Sequence, residues 1–373
     1  MMCNRMRTCV EPRDRPRVVT VLSGRRPWAH LVLALLTWWI SGCSRSPPAP
    51  SVPSPASAQS ERAIAQLGAR VFADAALSSD GSTSCAGCHD PKRTFTDGRP
   101  VALGVRRTPG TRNAPSLLDI TDRTTFFWDG RETRLEHVVL QPFTNAAEMG
   151  QPGMANVVER MARTQAYRSA FASAFGDKSG IVTQGRIAIA LATYLRTLPR
   201  GSSRFDAFLA SGGRSGLSAD EHAGLTLFEG KAACSQCHSV AGSRPMLTDQ
   251  LFHHTGIGFD RIAGNIAPQL IKLDAIKARG QPLGAAVLTD PDVAELGRFL
   301  VTRQPVDLGA FRTPSLRNVS RTAPYMHDGS IPTLRAAIER EIYYRSLERG
   351  QPIELTLPEQ RQLLAFLGAL DDR

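Results

Sequence analysis

The chain has 373 residues, with 45 Lys and Arg against 34 Asp and Glu, and a formal net charge of +11. That length leaves room for two domains. Much of the charge sits at the start: residues 1–42 hold seven Arg against Glu11 and Asp14, which is +5, so the remainder carries about +6. A mildly basic body without a basic–aromatic stripe gives no case for nucleic acid and suits an acidic protein partner or an anionic surface.

Arg25 and Arg26 precede an apolar run from Leu31 to Ile40, followed by Ile40-Ser41-Gly42-Cys43. The run is too short to span a bilayer and reads as the core of a signal peptide, 1–42. The I-S-G-C ending resembles a lipoprotein cleavage box. Cys43 is then the lipidated first residue of the mature chain, and membrane contact is by that anchor alone. Ser44 follows rather than Asp, which by analogy points to the outer membrane of the periplasm. Residues 43–60 are mostly Ser, Pro and Ala and read as a tether.

Two copies of one pattern dominate the rest: Cys85-Ala86-Gly87-Cys88-His89 and Cys234-Ser235-Gln236-Cys237-His238. C-x-x-C-H is the attachment pattern of a c-type haem, with two thiols for the porphyrin and a histidine for the iron. Paired zinc knuckles lie about 15–20 residues apart, far closer than these motifs, and neither copy has the neighbouring βαβ pattern of a thioredoxin-like site. Two covalent haem c groups, on His89 and His238, are expected. Cys3 and Cys9 leave with the leader and Cys43 carries lipid, so no cysteine pair remains for a disulfide.

The body is duplicated. Gly68-x-x-x-Phe72 precedes the first motif, and Gly224-x-x-x-Phe228 precedes the second. Ala190 to Leu198 parallels Gln362 to Leu370, each with leucines and one aromatic on a single helical stripe. Ser218-x-x-Glu221 reads as a capping box. Strand signals are weak, and Gly201 to Gly216 reads as a linker. The expected fold is mainly α: two cytochrome-c-like haem domains in tandem with long loops, 61–212 and 213–373.

Eight histidines are present, at 30, 89, 137, 222, 238, 253, 254 and 327. None lies between His89 and His137, and no Met occurs from there until Met149, so the loop after the first motif offers no usual second axial ligand. The first haem is expected to be open to a small molecule.

Three further blocks carry a resemblance. Phe127-Trp128-Asp129-Gly130-Arg131 leads to Pro142 and Asn145-x-x-Glu148-Met149. Phe311-Arg312-Thr313-Pro314-Ser315-Leu316-Arg317-Asn318 is followed by Ala323-Pro324-Tyr325-Met326-His327-Asp328-Gly329. Together with the haem motifs, over about 61–370, they resemble the bacterial di-haem cytochrome c peroxidases and their MauG-like relatives.

The resemblance implies that Glu148 is the acid–base group over the first haem and that Trp128 relays electrons between the haems. It implies that Asn113, with the carbonyls of Thr322 and Pro324, binds calcium. The histidine that covers the first haem in many such peroxidases would fall near Val105, so this site needs no reductive opening. The family's distal glutamine falls on Val138, with His137 and Gln141 nearby, and a tryptophan of MauG-like members is Ala232. The second axial ligand of the His238 haem counts to Glu341, just before Ile342-Tyr343-Tyr344. A small insertion would bring Tyr343 or Tyr344 to the iron, and Met326 is a further option.

Three functions follow as expectations. The first is a peroxidase reducing hydrogen peroxide with electrons from a small cytochrome c or cupredoxin. The second is a MauG-like oxidase that uses peroxide to modify residues of a protein substrate. The third is a di-haem electron carrier without catalysis.

Overall fold

Each half is framed by two helices that meet at a glycine. In the computed structural model, which describes residues 55–373, the helix Pro55–Ala73 packs along the helix Gln184–Arg196. A Cβ on Gly68 would stand 2.0 Å from the carbonyl oxygen of Ala190, so only hydrogen fits there. Close approach brings Phe72 against Tyr194, with ring centroids 5.2 Å apart. The second half repeats the device. The helix Ala219–Glu229 packs along Leu357–Gly368. A Cβ on Gly224 would stand 2.0 Å from the carbonyl oxygen of Gln362, and Phe228 meets Phe366 at 5.2 Å. The repeated G-x-x-x-F is thus a helix-crossing signature: glycine admits the partner backbone, and one turn on the aromatic fills the seam.

Residues 1–54, with the expected leader, Cys43 and most of the tether, lie outside the described residues. The tether expected through residue 60 gives way to helix already at Pro55. The expected linker 201–216 also contains a helix, Arg204–Ala210, opened by a Ser203/Asp206 capping box. Its Phe205 is fully buried and meets Phe366 edge-on at 5.4 Å, so this segment belongs to the second core. The Ser218/Glu221 capping box forms as its spacing suggests.

About half of the described residues are helical, and the strands are few: Phe252–His254 pairs antiparallel with Ala310–Arg312. Three apolar clusters form. One gathers the first half around Phe143, Phe171 and Leu191. One gathers the second around Phe228, Leu247 and Phe366. A third, around Leu273, Val293 and Leu300, is built from the helices between the two strands. This third cluster had no marker in the sequence. It braces the first half, because Asn145 Nδ2 donates to Gly284 O at 3.1 Å and Thr111 Oγ1 to Val287 O at 2.5 Å.

The halves meet in one compact unit along the arginine-bearing block Phe311 to Asn318. Arg312 donates Nε to Phe127 O (3.2 Å) and its backbone N–H to Trp128 O (2.9 Å). Arg317 Nε stands 3.7 Å from Asp119 Oδ2 of the first half, while its terminal nitrogens grip Asp206 of its own core at 2.9 and 2.8 Å. No helix among the described residues is long and apolar enough to cross a membrane.

Candidate functional site

Cys85 and Cys88 bound one helical turn, Cys85–Cys88, so both thiols lie on the same side and His89 follows directly. His89 Nδ1 lies 3.1 Å from Phe95 O, and His238 Nδ1 lies 3.0 Å from Leu247 O. A carbonyl oxygen only accepts, so in both rings Nδ1 carries the proton and Nε2 keeps its lone pair. A ring oriented in this way is prepared as a metal ligand. Burial holds both imidazoles below the usual histidine range. The four motif cysteines are free of disulfides.

Above the first motif, Glu148 is carried on a turn that its own block builds. Asn145 Oδ1 accepts from Ala147 N at 3.0 Å, and Asn145 O accepts from Glu148 N at 3.0 Å. Val105 N donates to Glu148 O at 2.8 Å. Gly104 makes that contact possible, since a Cβ there would sit 2.1 Å from Ala147 O. The loop position where related peroxidases were expected to carry a histidine is therefore a buried valine clamped onto the glutamate turn. Burial pushes the Glu148 carboxyl up to about 7, against a smaller pull downward from Arg131. The Cys85 and Cys88 thiols, pushed up to about 12 chiefly by burial, are raised further by Glu148, so the three groups share one recess. His137 is half-exposed beside Glu132, and Gln141 donates to Glu132 at 3.3 Å; both are engaged with that acid.

Around the second motif lies a cavity of about 300 Å³. Phe228, Cys234, Cys237, His238, Leu363 and Leu367 line it, and it runs on to Asn113 and Trp128 of the first half. Trp128 donates Nε1 to Asn113 O at 3.0 Å. Asn113 donates Nδ2 to Arg99 O at 2.9 Å. Thr322 and Pro324 line the same cavity.

A model of the di-haem cytochrome c peroxidase family matches residues 62–214. The chain is 35% identical over 327 residues to the methylamine utilization protein MauG of Methylorubrum extorquens, covering 86% of this chain and 81% of that one. It is 31% identical to the cytochrome-c peroxidase IdrP2 of Denitromonas iodatirespirans, covering 82% and 81%. The chain belongs to the di-haem cytochrome c peroxidase family. Among solved structures, a MauG-like protein associated with microbial copper homeostasis superposes with a TM-score of 0.65 at 30% identity, over 90% of this chain and 96% of that one. Family membership brings two c-type haems and oxidoreductase chemistry with peroxide, shared by its peroxidase and MauG branches. The residues fit the cofactors: each motif pairs free thiols with a histidine whose Nε2 is available, and the second adjoins an apolar-walled cavity.

The tyrosines expected near the His238 iron are placed as follows. Tyr343 is 57% exposed, and Tyr344 packs on Gly256 with Arg345 over its ring at 5.1 Å; neither lines the His238 cavity. Glu341, two residues earlier and about 200° away around the helix, does line it. The helix Leu334–Arg349 runs unbroken through this stretch.

Two groups escaped the sequence. Beside Cys237, His253 Nε2 bonds Asp249 Oδ2 at 2.7 Å. Between the halves, Arg112 pairs with Glu295 at 3.4 Å, Glu295 pairs with His327 at 2.8 Å, and His327 stacks on Phe311 at 3.6 Å. All four are buried. Nothing in local spacing announced the second group, because Arg112, Glu295 and His327 come from segments far apart in the chain.

Proposed function

We propose that this chain is a periplasmic di-haem peroxidase, lipid-anchored to the outer membrane through Cys43, that reduces hydrogen peroxide to two waters. The observation that carries the reading is Glu148, a half-buried carboxyl on a turn held by Val105 N and Asn145 beside the first haem motif, where burial pushes it up. The family's haems supply irons that bind peroxide and exchange electrons. Cys85, Cys88 and His89 hold the peroxidatic group, and Cys234, Cys237 and His238 hold the group that receives electrons from a small cytochrome c or cupredoxin. Glu148 takes a proton from the near oxygen of peroxide and returns it to the departing oxygen, which then leaves as water rather than hydroxide. Two electrons and two further protons complete each turnover. Trp128, tied to Asn113 on the cavity wall, lies on the route between the halves. Asn113, Thr322 and Pro324 offer the all-oxygen donor set that suits calcium, which would fix one half against the other. The two apolar cores are read as tandem cytochrome-c-like domains, expected at 61–212 and 213–373, with the crossing drawn back toward residue 200 by Phe205.

A second reading, favoured by the 35% identity to MauG, keeps the same acid–base step but draws electrons from side chains of a protein substrate. Steady-state oxidation of a reduced small c-type cytochrome or copper protein by peroxide supports the first reading; negligible turnover with both donor types supports the second.

Glu148→Gln tests the shared step. Its reaction with peroxide is expected to slow at least ~10-fold, toward the ~10²–10⁴ that general acid–base help supplies. The carboxylate is the proton acceptor, so the wild-type rate falls as pH drops through about 7. The variant lacks that inflection. An equal rate with full haem content removes Glu148 from the mechanism.

A further inference from the structure

We infer that the Glu341 carboxylate is the second protein ligand of the iron held by His238, an oxygen donor where thioether or phenolate was expected. The inference rests on the proposed haem at Cys234, Cys237 and His238.

The helix Leu334–Arg349 lays one face along that cavity. Leu334, Ala337, Ile338, Glu341, Ile342 and Arg345 all line it, at the spacing of a single helical stripe. Four of these six are apolar and have no donor atom. Arg345 is a cation and cannot ligate. Glu341 and Glu348 are the carboxylates of this face, and Glu348, at its exposed end, is taken up by Arg345 at 2.5 Å. Among the described residues the Glu341 carboxylate accepts no hydrogen bond; its side chain is 37% exposed and ion-paired with Arg345 Nε at 3.7 Å. A carboxylate on an otherwise apolar wall, held by one long ion pair within its own helix, keeps lone pairs for a further partner.

The other ligand-type side chains on the cavity wall are engaged. His253 Nε2 bonds Asp249 at 2.7 Å. His327 Nε2 bonds Glu295 at 2.8 Å and its ring is stacked on Phe311. Tyr325 donates its hydroxyl to Val319 O at 2.9 Å. Met326 is the remaining rival, in a turn with φ of 75°. An anionic oxygen favours ferric over ferrous iron and holds the potential below that of a histidine–methionine haem.

The test uses the full holoprotein, with haem content read by intact mass and the second haem read by ferric paramagnetic resonance, near-infrared circular dichroism and potentiometry. Glu341→Ala and the gentler Glu341→Gln are expected to change the ferric signature of one haem, raise its potential and leave the other haem's signals alone. Glu341→Met is expected to add a thioether charge-transfer band, and Glu341→His a bis-imidazole signature. Met326→Leu is expected to change nothing. If Glu341→Gln leaves both haem signatures and potentials as in the wild type, or if Met326→Leu abolishes a thioether band, the assignment fails. Absence of haem at Cys234 and Cys237 in the wild type would instead overturn the reading beneath it.

Discussion

The first and second halves share a frame and differ in what faces the recess beside each motif. Both cross two helices at a glycine whose Cβ would lie 2.0 Å from a partner carbonyl, both seat an aromatic pair at 5.2 Å, and both hang the motif histidine by Nδ1 from a loop carbonyl. The carboxyls arrive by unrelated routes. Glu148 stands on an asparagine-built turn clamped by Gly104, whereas Glu341 stands mid-helix on an apolar face. Duplication therefore preserves the packing that holds a cofactor, while loop and helix register decide what each cofactor meets. One half presents a carboxyl that burial pushes up to about 7; the other presents a carboxyl paired with Arg345 at 3.7 Å.

The largest expected effect lies where the halves join, and it asks whether they are one folding unit. Arg112 from the first half is buried against Glu295, which also holds His327. Glu295→Ala leaves Arg112 buried without its partner and is expected to cost about 3–5 kcal/mol in chemical denaturation. Burial pulls the Glu295 carboxyl upward, but the His327 hydrogen bond and the Arg112 charge hold it below its ordinary 4.5. A depressed folded value means the stabilisation is present above 4.5 and is lost as pH falls through the folded value. The variant's stability should therefore vary less below that pH. A loss under 1 kcal/mol, or two separate unfolding transitions in the wild type, would make the halves independent bodies.

The shared frame itself is tested by Gly68→Ala and Gly224→Ala. Each methyl meets backbone, which cannot rotate away, so the crossing must widen. We expect about 1–3 kcal/mol of destabilisation from each, after the helix propensity gained by alanine. Matched losses support the equivalence of the two crossings. A loss in one half only would show that the repeat in sequence is not a repeat in energetics.

The same contrast explains what could be read ahead of the structure. The haem motifs, the glycine–aromatic pairs, the Ser218 cap and the Asn145–Glu148 block are local patterns, each set by a few neighbouring residues, and all are placed as units. Pairing Gly68 with Ala190 and Gly224 with Gln362 was visible only as parallel strings, yet the repeat pointed to the right helices. Which residues of 341–344 line the His238 cavity was not legible because the choice turns on helix phase: two residues carry a side chain about 200° around the axis. The Arg112–Glu295–His327 cluster and the third core depend on tertiary contacts between distant segments, and composition carries no trace of these. The Ser/Pro/Ala stretch misled at its end because proline is welcome in a helix's first turn, where Pro55 sits.

The smallest effect compares the caps of the two frame helices that close each half. Thr183 Oγ1 accepts from Arg186 N at 3.2 Å, a single bond with no return. Thr356 instead forms a reciprocal box: its hydroxyl accepts from Glu359 N at 3.4 Å while Glu359 Oε2 accepts from Thr356 N at 2.7 Å. Glu359 is further tied to Lys231 at 2.9 Å, just past the end of the partner helix Ala219–Glu229. Thr356→Ala frees Glu359 as well as the first turn, so it should cost about 1 kcal/mol, and Thr183→Ala about half of that. Thermal melts of the two variants read the order directly. The reverse order would mean that the box adds nothing to the second crossing, and that Gly224 and its aromatic seam alone hold that helix in place.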